Sequence, residues 1–290
     1  MTAISPSERT FLSVRPGAAA FGVVGPHVDV HGMSDRGRMR ARNEDQFLIA
    51  DLDRTLRVRD TSLSVTLPRR AMGGGQAKLL VVADGLGGHV AGDVASALAV
   101  DAMVECVRDD IPWVPVRPSS DAYPEEALAP FRRAVACCEA RVRSVASGPG
   151  RRMATTLTVA LLTGDVLEVA HVGDSRCYLA SGRALTRITN DHTVYEMLRA
   201  QGLEPSGTQH ILYNALGADD RNVMTELHRV PLTRGDVVLL CSDGLTRHLD
   251  DDAIAARLRG GSARACCEAL VAAANDAGGE DNITVIVARM

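Results

Sequence analysis

Aromatic side chains are scarce: four Phe, four Tyr and one Trp make up 3% of 290 residues. That argues against the stacking platforms single-stranded nucleic-acid binders offer to bases. A basic excess is missing too, since 32 Lys and Arg face 36 Asp and Glu, a formal charge of -4. Such a balance implies no nucleic-acid partner. No run approaches the roughly 18 uninterrupted apolar residues of a membrane span. The N-terminus, with Glu8 and only a short apolar stretch, does not read as a signal peptide. The seven cysteines include no CxxC. The adjacent pairs Cys137-Cys138 and Cys266-Cys267 would point about 100° apart on a helix, poorly placed to share one tetrahedral ion. Buried, reduced thiols are therefore expected rather than a disulfide scaffold or a zinc site. The expectation is a soluble, cytoplasmic protein with neither nucleic acid nor membrane as partner.

What is present is a chain with 46% hydrophobic residues, enough to bury one large core. Residues 1–27 are small, punctuated by Pro and Gly and aperiodic, which reads as a loosely ordered extension. Residues 54–78 alternate in part and then dissolve into glycines, as a hairpin or surface excursion would. LLVVAD at 79–84 fits a buried strand. From Val90 apolar and small residues recur at threes and fours, the helical period, and a second helix is expected over EEALAPFRRAVACCEARVRSVAS, with Pro130 delaying its start. After residue 153 strands dominate: ATTLTVALLTGD, VLEVAHVGDS, RCYLASG and RALTRIT. TVYEMLRAQG predicts a short helix closed by glycine, and residues 203–222 an irregular loop. RVPL and DVVLLCSD are strand-like, two helices follow, and NITVIVARM ends the chain as a strand. Strands and helices come in blocks without strict alternation, which favours an α+β layered sandwich over a doubly wound parallel sheet.

One stretch, LLVVADGLGGH at 79–89, runs a strand into an aspartate and then into three glycines. It lacks the GxxxxGK[ST] phosphate loop and fails GxGxxG at Val90, so alone it would pass for a turn. The pattern recurs, however. VVLLCSDG at 237–244 ends another apolar strand in Asp-Gly, GGEDNITVIV at 278–287 mirrors it, VAHVGDS at 169–175 supplies a further strand-end aspartate, and Glu44-Asp45 precedes FLIA. Carboxylates gathered at strand ends repel one another unless a cation neutralises them. With no His or Cys at comparable places the donors are all oxygen, which selects hard cations, Mg²⁺ or Mn²⁺. Glycine beside Asp84 would leave room for a backbone carbonyl, a metal and its waters.

Taken together, SDRGRMRARNED, ADGLGGHVAGDVAS, ATTLTVA, AHVGDSR, LCSDGLT and GEDNITVIV resemble, in order, the metal-dependent serine/threonine protein phosphatases of the type-2C family in their bacterial form. The resemblance spans residues 34–287. It implies a four-layer α/β/β/α sandwich with two mostly antiparallel central sheets flanked by helices. Residues 28–290 would form the phosphatase domain, with 54–78 an insertion and 190–222 the flap beside the cleft. By position, Asp84 would bridge two metals, the Gly85 carbonyl would hold one, and Asp243 and Asp281 the other. Glu44 would act mainly through metal-bound water, with Asp45 in the same network. Asp174 would bind a third, weaker metal shared with Asp243. Arg40 falls where the family binds phosphate, and Asn282 looks like support behind the ligands. The implied reaction is Mn²⁺- or Mg²⁺-dependent hydrolysis of phosphoserine and phosphothreonine in proteins, targets of serine/threonine kinases, by a metal-bridging water and without a phosphoenzyme. A non-catalytic phosphoprotein-binding regulator with the same fold is the alternative; its signature would be loss of a metal carboxylate, and none is missing. Leu86 stands where some members place a histidine, and His89 inherits no acid role. His31, His89 and His192 read as structural, Thr155 and Thr156 as buried strand residues. Tyr213-Asn214 replaces the family's more usual Thr-Arg, which points to altered specificity.

Overall fold

The computed structural model describes residues 28–57, 70–86, 91–109, 128–146, 153–203, 206–218 and 223–290. The expected extension at 1–27, the tip of the 54–78 excursion and His89 lie outside the described residues.

Three long apolar strands explain the architecture. Residues 79–83 of β3 (Arg70–Ala83), β11 (Val237–Cys241) and residues 283–288 of β12 (Ile283–Arg289) read as near-continuous hydrophobic runs because both of their faces are covered. In β3, Leu79, Val81 and Ala83 face one pair of helices, α1 (Gly92–Asp109) and α2 (Ala129–Ala146). Leu80 and Val82 point the other way, where they meet Val238 and Leu240 of β11 and Ile286 and Ala288 of β12. The opposite faces of β11 and β12 pack Leu239, Cys241, Val285 and Val287 against Leu270, Val271 and Ala274 of α6 (Ala263–Asp276) and Ile254 of α5 (Asp251–Leu258). Side chains alternating across two strand faces thus build three stacked hydrophobic layers.

The described residues form two five-stranded antiparallel sheets. One runs β1 (Asp29–Asp35), β12, β11, β8 (Arg176–Ser181), β9 (Ala184–Arg187); the other runs β10 (Glu226–Pro231), β7 (Val166–Val172), β6 (Leu157–Thr163), β3, β2 (Gln46–Arg57). A two-stranded ribbon pairs β4 (Gly85–Leu86) with β5 (Ala154–Thr155). The α/β/β/α sandwich implied by the resemblance is therefore present. β2 and β3 pair as the expected hairpin, and Pro130 sits at the second position of α2, where its missing N–H costs nothing. α3 (Val194–Ala200) is capped by Thr193, whose hydroxyl accepts from the Glu196 N–H.

Three details differ from expectation. β10 begins at Glu226, earlier than RVPL implied, because it is a polar edge strand whose Arg229 pairs with Glu168 across β7. A one-turn helix, α4 (Asp243–Thr246), follows β11 directly where only a turn was legible. All seven cysteines are free, but Cys137 is exposed while the other six are buried; it lies on the solvent side of α2, one residue from buried Cys138.

Candidate metal centre

The acidic residues singled out in the sequence emerge at one end of the two sheets. Asp84 follows β3, and its backbone is clamped: the Asp84 N–H donates to Thr156 Oγ1 at 2.9 Å, and Asp84 O accepts from Thr155 Oγ1 and the Thr156 N–H, both at 2.9 Å. Thr155 and Thr156 therefore hold the aspartate in place as well as satisfying a strand. Gly85 has no room for a side chain, since a Cβ would sit 2.3 Å from Gly92 O and 2.7 Å from Glu44 O. Its glycine identity thus answers to close backbone packing that brings Glu44 beside Asp84.

The second Asp-Gly pair has the same cause. A Cβ on Gly244 would lie 2.0 Å from Asn282 O, so only glycine lets α4 press on the chain entering β12. Asp243 opens that helix, and Asp281 stands just before β12. Arg247, one turn along from Asp243, donates through Nε to Asp243 Oδ2 at 2.8 Å and lies 3.4 Å from Asp281 Oδ2. Asp281 Oδ2 also accepts from Arg40 Nη2 at 2.7 Å.

Asn282 fixes the loop that carries Arg40 and Glu44. Its Oδ1 accepts from the Glu44 N–H at 2.8 Å, while its Nδ2 donates to Arg36 O and Arg42 O at 2.9 and 2.8 Å. Asp45, 4% exposed, receives the hydroxyls of Ser242 and Thr284 on Oδ2, each at 2.7 Å. Ser242 occupies the N-cap of α4 but makes no capping bond; its hydroxyl is spent on Asp45.

Electrostatics show how closely these groups are gathered. Burial pushes the Asp84 carboxyl well above its ordinary value, and the charges of Asp45, Asp243, Asp174 and Asp281 push it further. Burial lifts Asp45 to about 7, with Asp243 and Asp281 adding to the effect against the two hydroxyls. Asp174, buried after β7, is raised by burial and then by Asp243. Glu44 is raised by burial, with Arg40 opposing. Two carboxylate oxygens, Asp45 Oδ1 and Asp243 Oδ1, are buried without a hydrogen-bond partner. Such oxygens, in a cluster of mutually repelling acids, suit a divalent cation bound by oxygen donors.

All the sequence-predicted residues Arg40, Glu44, Asp45, Asp84, Gly85, Asp174, Asp243, Asp281 and Asn282 thus come to this end of the molecule. Sequence reasoning missed Arg247. Its signal was the Asp-x-x-x-Arg spacing, which has meaning only once α4 is known to be helical.

A second polar cluster joins β7 and β10 to the segment after β9. His171, His192 and Glu226 bring atoms of ligand type within 4.8 Å of one another. Their hydrogen bonds define it as a clamp. His171 Nε2 faces Gly173 O and Asn190 O, both at 3.0 Å, so it carries the proton and Nδ1 accepts from Thr158 Oγ1 at 2.9 Å. His192 Nδ1 accepts from the Gly173 N–H at 3.1 Å and from Asn214 Nδ2 at 2.8 Å, which leaves Nε2 toward Glu226. Asn214 also exchanges two bonds with the Met224 backbone. His192 thereby reads as structural, as expected, and Asn214 is tied through it to the loop bearing Asp174.

Comparison with known proteins points to one family. The family profile described as "Protein phosphatase 2C" matches residues 70–269. The serine/threonine phosphatase stp of Listeria welshimeri is 30% identical over 88% of this chain and 92% of its own length. The serine/threonine protein phosphatase PstP of Mycobacterium tuberculosis is 33% identical over 88% of this chain, which spans only 43% of that longer protein. The crystal structure of the PstP catalytic domain in complex with two manganese ions superposes with a TM-score of 0.69 at 31% identity, covering 90% of this chain and 97% of that one. This chain belongs to the protein phosphatase 2C family.

Proposed function

We propose that Asp84, the Gly85 carbonyl, Asp243 and Asp281 hold two divalent cations, Mn²⁺ or Mg²⁺, in the catalytic centre of a protein serine/threonine phosphatase. Asp174 takes a third, weaker ion shared with Asp243, and Glu44 acts through water. The carrying observation is the pair of partnerless buried oxygens, Asp45 Oδ1 and Asp243 Oδ1, inside a cluster of acids. When bound, the cations supply Lewis acidity that makes a water nucleophilic at neutral pH and offsets charge on the phosphoryl oxygens.

The chain's own groups do the rest. Arg40, whose guanidinium lies half-exposed against Asp281, turns to the phosphoryl oxygens and stabilises the charge that grows there. Asn282 holds the Arg40–Glu44 loop at the pocket rim. The hydroxyls touching the site residues are engaged: Ser242 and Thr284 donate to Asp45, Thr155 donates to Asp84 O, and Thr156 accepts from the Asp84 N–H. These hydroxyls hold the site residues in place, and the reaction is read as direct hydrolysis without a phosphoenzyme. Phosphorylated proteins are the substrates; the natural ones are products of serine/threonine kinases, met in the cytoplasm. Among the described residues no helix is long and apolar enough to cross a membrane. Residues 28–290 serve as the phosphatase domain, and residues 190–222, held by Asn214, as the flap that selects substrate.

The test is phosphate release from a phosphothreonine peptide with Mn²⁺ present. Activity should vanish with chelator and in the Asp84→Asn/Asp243→Asn double variant; undiminished turnover in that variant sinks the assignment.

A further inference from the structure

The far end of the β1–β12–β11–β8–β9 sheet carries a second concave site, whose geometry stands apart from the catalytic centre although the choice of ligand rests on the phosphatase reading. A cavity of about 220 Å³ is bounded by the β8–β9 turn, the β10–β11 turn and the segment between α5 and α6, with Arg183, Arg259 and Arg289 among its lining residues. The strands place it opposite the metal centre. Asp243 and Asp281 lie past the C-terminal end of β11 and before the start of β12, whereas Val237 and Arg289 sit at the other ends of those strands. Seven residues of extended chain, Val237 to Asp243, separate the two sites by on the order of 20 Å.

The charges there are unbalanced. Arg183 and Arg259 are exposed and make no ion pair or hydrogen bond among the described residues. Arg289 reaches across the cavity wall, donating through Nη1 to Leu258 O at 2.9 Å, with Gly260 O at 3.5 Å. That contact orients one guanidinium and leaves its other N–H groups for a ligand. No carboxylate is among the lining residues, and the acids on or next to neighbouring strands point elsewhere. Asp29, opposite Arg289 in the β1–β12 pairing, accepts from the Ala263 N–H at 2.7 Å, and buried Asp236 accepts from the Thr233 N–H at 2.8 Å. The turns approaching the cavity, at Gly182, Gly235 and Gly260, present no side chain, and a Cβ there would meet nothing within 4 Å. An open hollow ringed by three arginines with few competing carboxylates suits a tetrahedral oxyanion. Its volume is too small for most drug-sized ligands and ample for a phosphate group.

We propose that this cavity is a phosphate-binding site outside the catalytic centre. It takes either free phosphate, the product class of the reaction, or a second phosphoryl group on a multiply phosphorylated protein substrate.

The experiment titrates the full chain with inorganic phosphate in metal-free, low-salt buffer, following the arginine Nε–Hε signals by NMR. Wild type, Arg40→Ala and Arg183→Ala/Arg259→Ala are compared, with Arg183→Lys/Arg259→Lys as the charge-keeping control. Binding that survives Arg40→Ala but weakens by about tenfold or more in the Arg183/Arg259 alanine pair, with partial rescue by lysine, supports the site. Phosphate binding unchanged in the alanine pair overturns it. Both replaced residues are exposed, so turnover of p-nitrophenyl phosphate should report an intact fold. Two further arms separate the sources. A raised KM for a bis-phosphorylated protein, with an unchanged KM for a mono-phosphorylated one, identifies substrate-borne phosphate. An altered response of p-nitrophenyl phosphate turnover to added phosphate identifies the free ion.

Discussion

Arg247 touches both Asp243 and Asp281, so two negative charges of the pocket lean on one guanidinium. Its removal leaves those carboxylates facing each other and Asp174 with less compensation. Arg247→Ala should lower the stability of the metal-free protein by about 1–2 kcal/mol, and saturating Mn²⁺ should recover most of the loss; thermal melts with and without Mn²⁺ check both halves. Asp84 behaves in the opposite sense. Its carboxyl makes no hydrogen bond or ion pair among the described residues and is raised by burial and by four acids around it. Asp84→Asn should therefore leave the metal-free melting temperature unchanged or higher, while phosphatase activity falls more than about 10²-fold and the gain in melting temperature from Mn²⁺ disappears. A metal-free protein destabilised by Asp84→Asn would contradict the repulsive cluster. Residue identities carried much of this. Asp84, Asp243 and Asp281 were legible because each ends or begins an apolar strand, where a charged side chain needs a reason. Thr155 and Thr156 were not, because their partner Asp84 lies far away in the chain, and Arg247 was not, because its four-residue spacing from Asp243 has meaning only once α4 is known to be helical.

At the level of elements, the clamp joining β7 and β10 to His192 and Asn214 has a pH signature. Burial lowers the His171 pKa to about 4, with His192 adding to the effect. The folded protein therefore keeps this ring neutral while the unfolded chain, titrating near 6.5, takes up a proton. The unfolded state binds more protons between pH 6.5 and 4, so stability falls as pH drops through that window, by roughly 3 kcal/mol when complete. Burial alone would raise the Glu226 carboxyl, but hydrogen bonds from His192 and His228 outweigh it and hold it well below the ordinary range. Its contribution is present above the unfolded value near 4.5 and fades below it. His171→Asn should lower stability at pH 7.5, yet flatten the pH dependence of the unfolding free energy between 6.5 and 4.5; denaturant titrations at several pH values measure the slope. Equal slopes in both proteins would refute a neutral, buried His171. Element boundaries show where sequence periodicity suffices. β11 and β12, apolar on both faces, were unmistakable, and α3 was announced by Thr193 and Gly202. α4 has only four residues, too few for a period, and β10 is a polar edge that alternates weakly.

For the whole molecule, the acidic cluster spans the sandwich. Asp84 leaves the sheet that packs on α1 and α2, whereas Asp243 and Asp281 belong to the sheet that packs on α5 and α6. Which strand belongs to which sheet was beyond the sequence, because apolar runs such as LLVVA and VVLLC carry no partner label; pairing is settled by long-range packing. The layered class was legible from the block order of strands and helices. In the proposed centre, a cation held by both Asp84 and Asp243 would tie one sheet to the other at a single end, and its free energy of binding would add to the stability of the fold, about 2.7 kcal/mol at a hundredfold excess over Kd. Chelation should thus lower the melting temperature by roughly 5–10 °C and act unevenly. Amide exchange should quicken at Asp84, at Thr156, whose N–H donates to Asp84 O, and in α4. Exchange near Gly182 and Gly235, at the other end of the strands, should change little. Uniform quickening on chelation would mean that the ions stabilise the fold as a whole, and quickening confined to the far end would place the binding site away from Asp84 and Asp243.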